Sequence, residues 1–168
     1  MKNIFVLSAL GFSCGLPYML VFSTLSAWLR DAGAALTVIG FISWAALTYS
    51  LKFLWSPFVD RIKMPLNQAV GQRRSWILMM QLLILFLIMM MSQFDPITSL
   101  NFIVITAVLI AFFGSLQDIA VDAYRIELVS LDEQGNLAAS YQFGYRLSIL
   151  VLSLIHISEP TRLPCLSY

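Results

Sequence analysis

"WILMMQLLILFLIMMMSQ", residues 76–93, carries no charged side chain. Its length is close to the roughly 20 residues that a helix needs to cross a bilayer. The rest of the chain follows the same pattern. Of 168 residues, 60% are hydrophobic and 11% charged, against about 25% charged in a soluble domain. The expected fold is therefore an all-α polytopic membrane protein. Its helices are expected over about residues 4–29, 37–55, 76–93, 97–118 and 137–151. The connectors are short, which favours antiparallel neighbours in one bundle.

The first span begins "MKNIFVLSALGFSCG", like a signal peptide. The apolar run then resumes at once with "LPYMLVF", so it reads as the first membrane helix. "CGLPY" within it implies a kink whose freed backbone groups face protein or water. Cys14 and Cys165 are far apart and offer neither metal spacing nor a disulfide framework. Cys14 reads as a small packing residue. No metal or cofactor is expected. A net charge of +1 argues against a nucleic-acid partner, whose binding face needs clustered Lys and Arg.

Orientation follows from the loop cations. The second connector holds Arg61, Lys63, Arg73 and Arg74, whereas the first holds Arg30 balanced by Asp31. The N-terminus and the second connector are thus expected in the cytoplasm. Trp28, Trp55 and Trp76 fall near expected interfaces, where aromatic belts form.

Ionisable residues inside a membrane cost about 2.5–3.5 kcal/mol each on insertion scales and mark pathways or pairs. Here they are Lys52, Asp118, Asp122, Arg125 and Arg146. Asp118, Asp122 and Arg125 stand at i, i+4 and i+7, one stripe of a helix face. Such a column suits a proton site or charge gate at the cytoplasmic mouth, within reach of Arg61, Arg73 and Arg74. A solvated helix end is the plainer reading. Paired carboxylates also suggest an aspartic protease, but that chemistry needs two acids facing each other across a water, and these share one helix. Arg146 falls about ten residues into the fifth span, roughly 15 Å at helical rise. Transporters place substrate sites near that depth, and Arg grips a carboxylate through paired hydrogen bonds. Lys52 is a second candidate cation for substrate, or a snorkelling lysine. Tyr18, Trp44 and Tyr49 offer flat faces for a sugar ring, or plain packing.

"SPFVDR" and "GQRR" flank the second connector and supply Asp60, Arg61, Gly71, Arg73 and Arg74. They resemble the major facilitator signature G-x-x-x-D-R-x-G-R-R, with Ser56 for the first Gly and "IKMPLNQAV" inserted. "GLPY", "KFLWSPFVDR", "GQRRSW", "QDIAVDAY" and "GYRLS" resemble, in order and spacing, the muropeptide permease (AmpG-like) family. That resemblance covers residues 8–151. It implies five helices of an N-terminal six-helix half, the partner half being absent. It further implies a proton-coupled carrier, not an enzyme, in the inner membrane of a Gram-negative bacterium. The implied cargo is anhydro-muropeptide, imported from periplasm to cytoplasm for cell-wall recycling. Gln72 departs from the family's usual Arg. Ser148 replaces a frequent Gly, a change that bears on tight helix packing. An acetyl-coenzyme A-type or other organic-anion carrier, or a small non-transporting membrane subunit, are the alternative functions.

From Leu152 the chain reads "LSLIHISEPTR", which looks like the translation of a transposon-end sequencing adapter. Residues 152–168 are expected to be non-native, and His156 is given no proton-relay role. Residues 1–151 alone are expected not to transport, because alternating access needs two halves.

The orientation is checked by labelling. A cysteine placed at Asn67 is expected to be shielded from an impermeant thiol reagent in intact cells, and one at Ala34 to react. The opposite pattern inverts the topology.

Overall fold

The structure, a computed structural model, describes residues 2–62, 71–96, 98–128 and 133–158. Position 67 and residues 159–168 of the expected non-native tail lie outside them. The described chain is helical throughout, with no strand among the described residues. The first span comprises α1 (Lys2–Met19), a π-helical turn (Leu20–Thr24) and α2 (Leu25–Asp31). The second comprises α3 (Leu36–Ser43), α4 (Ala45–Ser50) and α5 (Lys52–Arg61). Then come α6 (Gln72–Met91), α7 (Leu100–Leu128) and α8 (Gln134–Ser158).

Five helical segments thus follow the expected order. Three of them, 3–31, 72–91 and 100–128, are long and apolar enough to cross a membrane. The second span makes a fourth if its two parts, bent by 54°, count as one. α8 is not among these, as Gln142, Arg146, Ser140 and Ser148 interrupt its apolar run. The chain is an all-α polytopic membrane protein.

The differences from expectation have local causes. The first helix continues through Pro17 and widens into the π turn directly afterwards. A proline inside a helix removes one backbone bond, and a π turn is one way for the helix to absorb the fault. The second span does not stop at residue 55. It bends at Leu51 (φ −91°, ψ 12°) and runs on to Arg61. Beyond residue 118 the fourth continues through its polar stretch as one unbroken helix to Leu128, so Asp118, Asp122 and Arg125 share that helix. At 1.5 Å per residue, α7 is roughly 43 Å long, more than the hydrocarbon core of about 30 Å. Its polar end therefore projects past the apolar layer.

α7 is the central element and packs against α1, α4, α5, α6 and α8. Its small buried residues Ala107, Ala111, Gly114 and Ala120 let neighbours approach. Trp76 does not sit in an aromatic belt. It is buried, and its indole N–H donates to the Ile62 carbonyl at 3.1 Å, joining α6 to the end of α5. Trp55 also turns inward, edge-on to Phe112 at 5.2 Å. Trp28 stays partly exposed.

α1 and α8 lie backbone to backbone. A Cβ on Gly11 would strike the Tyr141 carbonyl, and one on Gly144 would strike the Ser8 carbonyl. Ser8 Oγ donates across to the Ser140 carbonyl at 3.1 Å. Small residues at such spacing are how membrane helices gain packing where lipid supplies no hydrophobic drive. Ser148 does not loosen this interface. It is fully buried against Gly15, and its hydroxyl donates back to the Tyr145 carbonyl at 2.7 Å.

Gly144→Ala is expected to destabilise the protein in detergent by about 1–3 kcal/mol, the usual cost of overpacking. Gly40→Ala, where a Cβ meets nothing within 4 Å, is expected to be neutral or slightly stabilising. Thermal unfolding of both variants checks the contrast.

Candidate functional site

Three helices converge where α7 leaves its apolar stretch. α7 presents Asp118 and Asp122, four residues apart, on one face. Lys52, the first residue of α5, enters beside them at the bend of the second span. Its Nζ donates to Asp118 Oδ2 at 3.2 Å and to Asp122 Oδ2 at 3.4 Å. α8 supplies Tyr141, whose hydroxyl donates to the second oxygen of Asp118. Arg125 closes the row, 3.6 Å from Asp122 Oδ1, with its guanidinium 6.0 Å from the Tyr141 ring centre.

The two acids differ in surroundings. The Asp118 side chain is 17% exposed and accepts from two helices. That of Asp122 is 35% exposed and holds two longer ion pairs. Around them opens a cleft of about 540 Å³, lined also by Gln142 and Tyr145. A second cleft, of about 400 Å³, lies on the other side of Lys52 and Asp122 and reaches Asp60, Arg73 and Glu127. Lys52 and Asp122 line both.

A second ionic group stands at the far end. Arg73 lies 2.5 Å from Asp60 and 2.9 Å from Glu127. Gln72 donates to the Asp60 carbonyl at 2.9 Å, so the residue in place of the usual Arg still ties α6 to α5. Arg74 donates to the Tyr124 hydroxyl at 3.2 Å and lies 5.4 Å from that ring. Gly71 starts α6 at φ +92°, a conformation that favours glycine.

Asp118, Asp122 and Arg125 thus lie along one helix, but the cation that meets both carboxylates is not among Arg61, Arg73 and Arg74. Arg73 and Arg74 are engaged by Asp60, Glu127 and Tyr124, and Arg61 ends α5 exposed. Lys52 takes the carboxylates instead. Tyr18 and Tyr49 do meet, edge to face at 5.5 Å. Tyr18 lies 6.4 Å from Tyr145, so the ring cluster borders the larger cleft. Trp44 is 68% exposed and does not line that cleft. Arg146 is exposed on the face of α8 that carries Phe143, Leu147 and Leu150. It stands one turn from Gln142.

The sequence reading missed Tyr141 and Tyr145, which share a face of α8 at i, i+4. It also missed a polar group in the core. Gln81 donates to Ser13 Oγ at 2.8 Å, and buried Gln117 to the same oxygen at 3.3 Å, linking α6 and α7 to α1. The signal was available as uncharged polar residues inside apolar runs. Among the described residues no three His, Cys, Asp or Glu side chains gather as a metal site.

Residues 3–158 match the family model described as acetyl-coenzyme A transporter 1. The chain is 41% identical over 146 residues to the anhydromuropeptide permease of Escherichia coli (strain K12), covering 87% of this chain and 29% of that protein. It is 37% identical over 149 residues to the putative transporter AmpG 4 of Rickettsia felis, covering 89% of this chain and 36% of that one. An uncharacterized protein of Haemophilus influenzae is 37% identical over 150 residues, covering 89% and 35%. The chain spans about a third of the length of these relatives.

Tyr141→Phe is expected to cost about 1.5–3 kcal/mol, the range for a hydrogen bond to a charged group. Thermal unfolding in detergent measures it. Phe143→Tyr, on the exposed face of the same helix, is expected to leave stability unchanged.

Proposed function

Because the chain belongs to the acetyl-coenzyme A transporter 1 family, whose matched relatives include permeases and transporters, we propose that it is the N-terminal part of a proton-coupled secondary carrier. The cargo in this reading is anhydro-muropeptide, moved from periplasm to cytoplasm. The carrier sits in the inner membrane with its N-terminus cytoplasmic, and has no covalent chemistry of its own. Residues 1–151 supply helices of a six-helix half, and the other half completes the central site.

The observation that supports this reading is the Lys52–Asp118–Asp122–Arg125 cluster lining the larger cleft. Charges at the edge of the apolar layer are costly unless they are paired or reach water. Here they pair with one another, so a proton added to one carboxylate releases a partner rather than merely neutralising a surface group. In this reading Asp118, Asp122 and Arg125 carry the proton response. Lys52 faces the anionic parts of the cargo in the cleft, Arg146 reaches it only from the exposed face of α8 where the other half would pack, and Tyr18 and Tyr49 meet its apolar faces. The Asp60–Arg73–Glu127 group closes the cytoplasmic mouth. The family's own description favours a second reading, acetyl-coenzyme A as cargo.

The test is uptake by cells that lack their own permease and express the intact gene. Labelled anhydro-muropeptide is expected to accumulate, and excess acetyl-coenzyme A is expected not to compete. The reverse outcome selects the second reading. Asp122→Asn is expected to abolish proton-driven accumulation while the protein remains folded in the membrane. Arg146→Ala is expected to weaken cargo binding and leave the proton response intact. Wild-type accumulation by both Asp118→Asn and Asp122→Asn would reduce the stripe to a solvated helix end.

A further inference from the structure

We infer that Lys52 is the binding group for a carboxylate on the ligand, and that Asp122 is its built-in competitor, displaced when a proton arrives. The inference rests on the proton-coupled reading above and adds the group that joins proton to cargo.

Geometry singles out Lys52. It is the cation that lines both clefts, and its side chain is 43% exposed. Arg73 is held by two acids at 2.5 and 2.9 Å and does not line the larger cleft. Arg125, 3.6 Å from Asp122, is less exposed than Lys52 and lies against Tyr141, so it is the less accessible of the two cations of the larger cleft. Lys52 also sits where the second span bends, so a change of partner acts on the orientation of α5.

Charge balance sets the rule. Lys52 and Arg125 are two cations, and Asp118 and Asp122 are two anions. An added carboxylate leaves the cluster with an uncompensated negative charge, which is costly away from water. A carboxylate entering with one proton leaves the balance unchanged. The proton goes to Asp122 rather than Asp118. Asp118 is the less exposed acid and stays bound to both Lys52 and Tyr141. Asp122 is more exposed and its contacts are longer. The other groups facing the pair do not take over its role. From α8 these are the phenols of Tyr141 and Tyr145. Across the second cleft Asp60 and Glu127 are already bound to Arg73. Once Asp122 is neutral, Lys52 is left with Asp118 and the ligand, and Arg125 loses its pair with Asp122.

The sign follows. One proton taken up per ligand means that affinity rises as pH falls, by up to about tenfold per pH unit. The slope is confined to the pH range in which Asp122 is ionised in the free carrier and protonated in the complex, and it also needs the ligand carboxylate ionised, above about pH 4.

Two measurements on the intact purified carrier test this. The first needs no cargo: acylation of Lys52 by acetic anhydride, followed by mass spectrometry. Asp122→Asn is expected to speed it several-fold, and an unchanged rate overturns the inference. The second is binding of anhydro-muropeptide, with carboxylates free or methyl-esterified, between pH 5 and 8. The wild type is expected to prefer the free acid, increasingly so at low pH. Asp122→Asn is expected to bind it tightly with no pH slope. Lys52→Gln is expected to bind acid and ester alike, whereas Lys52→Arg, which keeps the charge and guards against simple misfolding, still discriminates. A wild-type pH slope in Asp122→Asn, or wild-type discrimination in Lys52→Gln, overturns the inference. If neither ligand form binds wild type at any pH, the anhydro-muropeptide reading fails, and the acylation rate alone decides the role of Lys52.

Discussion

One ammonium group holds the polar end of this bundle together. Lys52 reaches two carboxylates of α7 from the bend of the second span. In water such a pair contributes little. At the edge of a membrane the comparison changes, because each charge left unpaired must be solvated by something else. Asp118 in turn binds Tyr141 of α8. Three helices are thus tied at one point. Lys52 and Asp122 line both clefts, the larger beside Tyr141 and Tyr145 and the smaller beside Phe53, Ile119 and Ile126.

The apolar packing makes that meeting possible. α8 can bring Tyr141 and Tyr145 to α7 because it lies flush on α1, through Gly11, Gly15 and Gly144. The bond from Ser8 to the Ser140 carbonyl helps fix the register of the pair. Further along, Ser13, Gln81 and Gln117 join three helices by hydrogen bonds inside the core. A buried amide in a membrane must find a partner, so these residues fix which helix faces which. The charged cluster then sits on a frame already set by close contacts and neutral polar bonds.

Much of this was legible in the residues. The spans follow from apolar runs bounded by charge, and the Asp118–Asp122–Arg125 stripe from helical spacing, because both are local. Asp60 and Arg73 were marked by a recognisable signature, but their pairing is a finding of the structure. What was not legible is long-range or unmarked. Nothing near Leu51 announces a bend, since neither Pro nor Gly stands there. Lys52 lies 66 residues from Asp118, and no spacing rule connects them. Trp76 has the composition of an interface residue, yet a carbonyl at the end of α5 draws it inward. Ser148 marked a departure from glycine, but its hydroxyl is satisfied within its own helix turn and occupies little room.

The central claim is that Lys52, Asp118 and Asp122 act as one coupled, ion-paired unit. The most direct measurement compares the thermal stability of Lys52→Met with that of the triple variant Lys52→Met, Asp118→Asn, Asp122→Asn. Breaking a fully buried pair by removing one partner costs about 3–5 kcal/mol, whereas replacing the whole pair by neutral groups is often harmless. The single variant is expected to lose less than that range, because Lys52 is 43% exposed. The triple variant is expected to regain most of the loss. If the triple variant is less stable than the single one by the sum of independent losses, the three residues do not form a unit, and the account is contradicted.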